Sequence, residues 1–295
     1  MKIVSIGEVL WDVIGDQEHL GGAPLNFAAH ARRLGHEVYF VSGVGCDERG
    51  DRVFECMERM GLPTRFVRRV EGFPTGIASV TLDATGQPSF RIEHPAAYDF
   101  PELTSADLNE LLSPAPDWIY FGTLLQMSEH AYGVTRQLLL ARCGARHFYD
   151  INLRPSCYET DLVRKLMSQA TVVKLNDEEI SMVDQMCGRQ HSSVEDFCRD
   201  YADELGWESV CVTQGAEGCV LLVGDEVTSS PGYSVKVVDA VGAGDAFAAA
   251  FLHGLSCGWP GAQVADFANR VGALVASRPG ATPGWTMDEI NNLGK

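Results

Sequence analysis

Apolar positions along the chain fall into two patterns that take turns. Short β-branched and aromatic runs, "KIVSIG" at 2–7 and "EVYFVSGVG" at 37–45, are each followed by a longer stretch whose apolar residues recur at helical spacing, "NFAAHARRLG" at 26–35 and "DRVFECMERMG" at 51–61. Each helical stretch stops at a glycine, the residue that most readily takes the left-handed conformation closing a helix. The alternation resumes with "DWIYFG", "SEHAYGVTRQLLLARCG", "RHFYDI", "TVVKLN" and "EDFCRDYADELG". Strand followed by helix, repeated, predicts an α/β fold with a mostly parallel central sheet flanked by helices.

Between the two halves the rhythm changes. "TRFVRRV" (64–70), "TGIASVTLD" (75–83) and "PSFRIE" (88–93) read as strands without helices, broken by turn signals at Gly72, Pro74, Gly86 and Pro88. These strands predict a small β-sheet appendage, a lid, inserted at about 12–20 and 64–97 of a chain that otherwise forms one domain over 1–295. The tail "TPGWTMDEINNLGK" reads as a short terminal helix.

Composition narrows the function. The 295 residues carry 23 Lys plus Arg against 40 Asp plus Glu, a net charge of −17, so a nucleic acid or an anionic membrane is repelled overall and any phosphate must be held locally. Nucleic acid and membrane are therefore not expected partners. Nine cysteines, odd in number and without a C-x-x-C pair, fit free thiols in a reducing compartment, and a cytoplasmic location is expected. The opening apolar run is cut by Gly7 and Glu8, too short for a signal peptide, and nowhere do 18 apolar residues stand together. The eight histidines show no paired spacing, so no zinc site is expected.

The run "VVDAVGAGDAFAAAFLHG" (237–254) carries the most chemistry. Phe247 stands where a dinucleotide fingerprint needs its third glycine, and no Gly-Lys-Ser/Thr of a phosphate loop occurs. What remains is a predicted strand at 235–238, a turn with Gly242 and Gly244, and Asp245 opening a helix to about Leu255. The amides of Gly242, Ala243 and Gly244 can converge at a positive helix end and receive an anion. A carboxylate beside a bound phosphate adds repulsion that binding alone would avoid. Asp245 can instead take the proton of an acceptor hydroxyl while the amides hold the transferring phosphoryl group. Without chemistry, the same residues read as a helix cap and a tight turn.

This run resembles the C-terminal signature of the ribokinase-like, or pfkB, sugar kinases. The family's N-terminal glycine motif is matched by "GGAPLNFAAHARRLG" at 21–35, followed by "VSGVGCDERG" at 41–50, in the same order and spacing. Ala240 departs from the threonine common at that place. The resemblance covers nearly the whole chain and implies a ribokinase-like fold, an ATP-dependent carbohydrate kinase with Asp245 as base, and a β lid over the sugar.

It also implies roles for other residues. Asp12, Gly22 and Asn26 would hold the sugar, although alone Asn26 reads as a helix cap and Asp12 as a turn residue. Asn176 and Glu179 form an Asn-x-x-Glu pair that is a capping box by spacing alone. In the family such a glutamate organises magnesium-bound water near the phosphates, with Lys174 adding positive charge. "YDINLRP" places Asp150, Asn152 and Arg154 at a strand end, where ligands bind in open α/β sheets, and in similar kinases this stretch reaches the sugar or the transferred phosphate. Thr213, Gly215 and Gly218 in "CVTQGAEGC" resemble the nucleotide-side turn, and Asn269 matches a position beside the adenine. A monovalent cation, potassium, is allowed by the resemblance around the Asp239 turn and the loop near Arg278 and Gly280.

The motifs "GEVLWD", "GGAPLN" and "DINLRP" most resemble those of fructokinases, so fructose is the expected acceptor. Glu93 stands where a kinase of an acidic sugar would align an arginine, which disfavours 2-keto-3-deoxygluconate unless Arg91 restores the charge. Ribose, a nucleoside or another ketose stay open, as does a catalytically silent sugar or nucleotide sensor on the same fold. Lid edges in this family can pair between subunits, so a homodimer through the lid is a further expectation.

Overall fold

The computed structural model describes residues 1–82, 88–141 and 143–294. In chain order the elements are β1 (Lys2–Ile6), β2 (Leu10–Ile14), β3 (Gln17–Gly21), α1 (Ala23–Arg33), β4 (Glu37–Gly45), α2 (Glu48–Arg59), β5 (Val67–Val70), β6 (Gly76–Leu82) and β7 (Pro88–Ile92). Then come α3 (Ser105–Leu112), β8 (Trp118–Gly122), α4 (Glu129–Leu139), β9 (Arg146–Asp150), α5 (Thr160–Met167), β10 (Val172–Asn176), α6 (Asp177–Cys187), α7 (Val194–Leu205) and β11 (Ser209–Thr213). The chain closes with β12 (Cys219–Val223), β13 (Glu226–Ser230), α8 (Ala243–Ser256), α9 (Gly261–Ala276) and α10 (Met287–Asn292).

Nine strands form one sheet in the order β13-β12-β11-β10-β9-β8-β1-β4-β5, parallel from β11 to β5, with β12 and β13 antiparallel at one edge. A separate sheet of four runs β3-β2-β6-β7. This is the ribokinase-like α/β arrangement: a large, mostly parallel sheet flanked by helices, with a small sheet beside it.

The strands of the large sheet read as unbroken apolar runs because both faces are covered, and successive residues serve opposite faces. Ile3, Phe40, Tyr120, Phe148 and Val172 join the core with α1, α8 and α9, whereas Val4, Val41, Phe121, Tyr149 and Val173 join the other core with α4, α5 and α7. Phe27 of α1 stacks on Tyr120 with ring centroids 3.7 Å apart, fixing that helix against the sheet.

Two expectations are corrected. The pattern places "TRFVRRV" in the small sheet, but its strand β5 pairs parallel to β4, Ser42 with Val67 through Gly45 with Val70, and extends the large sheet. A parallel partner is chosen by the crossover helix α2 that precedes it, which a local pattern does not reveal. The small sheet draws its other half from β2 and β3, with Asp12 opposite His19. Second, no strand forms at 235–238: Val238 N and Asp239 N both donate to Ala276 O, so the segment crosses the end of α9, leaving Val237 and Val238 exposed. The turn expected at Gly86 lies outside the described residues. Among the described residues no helix is long and apolar enough to cross a membrane.

Candidate active site

The carboxyl ends of the parallel strands open toward one region, and the chemistry collects there. β1 ends into Glu8, β9 into Asp150, β10 into Asn176 and β11 into Thr213. Above them stands the amino end of α8. Its cap, Gly242, takes φ 78°, and a Cβ there would sit 2.3 Å from Ala281 O, so only glycine fits. Of the amides expected to form an anion cradle, Ala243 N reaches Ala240 O at 3.3 Å, a long contact, while the N–H groups of Gly242 and Gly244 meet no protein acceptor among the described residues. The free pair, at a helix amino terminus, is the arrangement that attracts an anion.

Asp245 lies on the first turn of α8 and is partly exposed, yet protein surrounds its carboxyl on most sides. Burial pushes that carboxyl up to about 6, opposed by the hydrogen bond from Asn26 and by the charges of Lys174 and Arg154, and reinforced by Asp150. Asn26 Nδ2 donates to Asp245 Oδ2 at 2.8 Å. Asn26 is therefore not the cap of α1: that place is Gly22, whose φ of 110° and whose Cβ position 2.4 Å from Glu8 O admit no side chain.

Lys174 and Asp150 are register partners on β10 and β9, so their side chains project to the same side of the sheet. Lys174 Nζ lies 3.0 Å from both carboxylate oxygens of Asp150, and Tyr120 Oη donates to Asp150 Oδ2 at 3.0 Å. Burial draws the Lys174 ammonium downward, but the carboxylates of Asp150 and Glu179 outweigh it and the net direction is upward, so it stays charged. A Cβ on Gly244 would lie 3.9 Å from this ammonium, which puts the charge at the edge of the cradle.

Asn176 and Glu179 do form the capping box of α6, with Asn176 Oδ1 accepting from Glu179 N at 2.9 Å and Glu179 Oε2 accepting from Asn176 N at 2.8 Å. The second glutamate oxygen goes elsewhere: Oε1 accepts from Leu153 N at 2.6 Å, holding the turn that presents Arg154. That turn is bent through Asn152 at φ 39° and Ser156 at φ 62°. Arg154 is exposed and its guanidinium, among the described residues, makes no ion pair or hydrogen bond, while its charge reaches Glu8, Asp12 and Asp245. Asp12, on β2, also lacks a partner among the described residues; burial raises its carboxyl against the opposing pull of Arg154 and His19. A Cβ on Gly21 would lie 2.5 Å from Asp12 Oδ2, so the glycine makes room for this carboxylate.

Other expected residues stand further off. Thr213 ends β11 with its hydroxyl 3.4 Å from Leu175 O, and Gly215 and Gly218 take φ 54° and 105° in the turn to β12. Asn269 is buried in α9 and its Nδ2 donates to Ser230 O at 3.3 Å and Pro231 O at 3.2 Å, tying down the exit of β13. Asp239 accepts from Val241 N and from Gly280 N, both at 3.0 Å, and joins the two loops named for a monovalent cation. Beside Arg154 a recess of about 440 Å³ opens between Ser156 and Cys157 on one side and His94, Phe100 and Met127 on the other, with Asp245 outside its lining.

Sequence reasoning missed Glu8. It is buried, its Oε2 has no hydrogen-bond partner, and burial pushes its carboxyl up to about 7, with Arg154 and Asp245 among the charges it feels. The available signal was a charged residue directly after a fully buried strand, where a carboxylate needs a reason to be.

Comparison with known proteins agrees with this geometry. The family model described as pfkB family carbohydrate kinase matches residues 2–287. Fructokinase-1 of Oryza sativa subsp. japonica is 30% identical over 307 residues, covering 95% of this chain and 93% of its own. Aminoimidazole riboside kinase of Salmonella typhimurium is 27% identical over 320 residues, covering 99% and 94%. The solved structure of fructokinase from Xylella fastidiosa with bound ATP superposes with a TM-score of 0.86 at 25% identity, covering 98% of this chain and 97% of that one. With the match running through both glycine motifs and the turn that carries Asp245, the chain belongs to the pfkB family of carbohydrate kinases, phosphotransferases that act on an alcohol acceptor.

Proposed function

We propose that this kinase transfers the γ-phosphoryl group of ATP to a primary hydroxyl of a neutral sugar, fructose first among them, with Asp245 as general base. The observation that carries the reading is the Asp245 carboxylate, held through Oδ2 by Asn26 beside the unpaired N–H groups of Gly242 and Gly244. With Oδ2 committed, Oδ1 is left to accept the hydroxyl proton, and the amides meet the charge developing on the phosphoryl oxygens. Lys174 adds a fixed positive charge at the cradle edge, and the Arg154 guanidinium, which meets no partner among the described residues, offers five donors from the sugar side. Asp12, across the small sheet, accepts from sugar hydroxyls, and closure of that sheet excludes water.

Glu179 fits a magnesium ion only indirectly, since both its oxygens already accept main-chain N–H groups; the ion, held by nucleotide and water, supplies neutralisation of phosphate charge. Among the described residues no group of three or more His, Cys, Asp or Glu is placed to hold a metal ion.

The preference for a neutral acceptor rests on charge. Glu8, Asp12 and Asp245 crowd the cleft against the unpaired Arg154, and Glu93, following β7, is exposed and adds no cation. An acidic sugar would be repelled unless neutralised. The test is ADP release across a panel of fructose, ribose, 2-keto-3-deoxygluconate and a nucleoside. Fructose should give the highest kcat/KM, and Asp245→Asn should lower kcat by roughly 10²–10⁴ with ATP binding retained. Turnover of the asparagine variant near that of wild type would refute the base; ATP binding with no turnover of any sugar would favour a sensor.

A further inference from the structure

Helix α1 carries Asn26 and, one turn later, His30. The second of these is fully buried and is not a residue whose role the kinase chemistry above requires. Its ring is held at both nitrogens. Trp285 Nε1 lies 3.1 Å from His30 Nδ1, and indole is only a donor, so Nδ1 accepts. His30 Nε2 lies 3.0 Å from Ala281 O, only an acceptor, so Nε2 carries the proton. The two contacts fix one neutral tautomer. Burial agrees, drawing the imidazole down to about 4, so it is uncharged in the neutral range.

The carbonyl that His30 grips is the one against which the Gly242 turn rests. A Cβ on Gly242 would be 2.3 Å from Ala281 O and 2.6 Å from Ala281 Cα. Two peptide units earlier, Gly280 N donates to Asp239 Oδ2 at 3.0 Å. Arg33, in the last turn of α1, donates to Pro283 O and places its guanidinium 5.5 Å from the Trp285 ring centroid. One helix therefore reaches both sides of the same turn: Asn26 touches the carboxylate of Asp245, and His30 touches the main chain behind Gly242.

We infer that His30 is a positioning residue for phosphoryl transfer, fixing through the Ala281 carbonyl the backbone turn whose Gly242 and Gly244 amides receive the phosphoryl group. The kinetic part rests on the kinase reading; the clamp itself does not. A displacement of about 1 Å in such a cradle is enough to cost up to about 10²-fold in rate without changing which sugar binds.

The experiment has an arm that needs no turnover. Nitrogen-15 NMR of the imidazole in the wild-type chain at neutral pH should show His30 as the neutral Nε2–H tautomer; an Nδ1–H tautomer or an imidazolium overturns the inference. Residue-resolved hydrogen exchange is then read at the Val241, Ala246 and Gly280 amides. His30→Leu should raise exchange there by about 2–10-fold, the worth of one neutral hydrogen bond. His30→Gln, which restores a donor at the reach of Nε2, combined with Trp285→Phe, which removes the indole donor left over, should return exchange to near wild type.

In turnover, His30→Leu should lower kcat by about 10–100-fold with the sugar KM little changed, and the glutamine variant should recover most of it. Unchanged exchange in the leucine variant, or glutamine no better than leucine, overturns the clamp. If leucine prevents folding, the glutamine pair and Trp285→Phe alone still decide, since an imidazole without the indole donor is free to take the other tautomer and lose its bond to Ala281 O, which should loosen the same amides, and an unaltered exchange pattern would contradict it. Absence of kinase activity in the wild type, with the exchange results as expected, would sink the kinase reading and leave the clamp standing.

Discussion

Replacing Asn26 by alanine removes the only protein donor to the Asp245 carboxylate among the described residues, a bond of 2.8 Å. A hydrogen bond to a charged group contributes about 1.5–3 kcal/mol, and because Asp245 is partly exposed, water entering the vacated space returns part of this, so the lower end applies. All of that bond favours the ionised carboxylate. At 1.36 kcal/mol per unit, losing about 1.5 kcal/mol raises the carboxyl by about one unit, from about 6 to near 7. A base must be ionised to act, so kcat/KM for the free enzyme falls tenfold per unit as pH drops below this value. The assay is coupled ADP release at limiting sugar from pH 5 to 9. The wild-type acid limb should break near 6, and the Asn26→Ala limb about one unit higher, with the deficit smallest at high pH. Asn26 also faces the proposed sugar, so the absolute level will fall, but loss of a sugar contact alone leaves the break in place. A variant with lowered activity and an unmoved acid limb would refute the claim that Asn26 tunes the base.

Other outcomes follow from single contacts. Asp12→Asn should raise the sugar KM with ATP affinity little changed, read from initial rates and nucleotide calorimetry, because Asp12 faces the cleft without a protein partner among the described residues. Lys174→Met strips a buried carboxylate of its counter-charge and should destabilise the fold by about 3–5 kcal/mol in urea melts, with Asp150→Asn in the same chain recovering much of it; additive losses would contradict the pairing.

What is legible in the sequence is whatever a residue does with its own neighbours in the chain. The strands covered on both faces read as apolar runs because burial on two sides leaves no room for alternation, and the Asn176–Glu179 box is visible because both bonds close within a single turn. The second use of Glu179, on Leu153 N across 26 residues, is not visible, nor is the meeting of Lys174 with Asp150, which depends on β9 and β10 being adjacent and in that register. The placement of β5 escapes the sequence for the same reason: a strand's pattern specifies its faces, not its partner. At 235–238 the valines imitate a strand, but the segment takes its bonds from the end of α9. The family resemblance implies one site holding Asp245, Gly242 and Asn26; the bond between Asn26 and Asp245, 219 residues apart, is a property of the folded chain alone.

An edge strand of the small sheet, β3, ends at Gly21 and α1 begins at Ala23, so Gly22 alone joins that strand to the helix. Asp12 rides on the sheet side of that joint and Asn26 on the helix side. On the proposed function a sugar would span the gap between the two, and that gap depends in part on the backbone torsions of Gly22, whose φ of 110° no larger amino acid tolerates. On the proposed roles of Asp12 and Asn26, a change at that joint would alter acceptor contact and the support of the Asp245 carboxylate together.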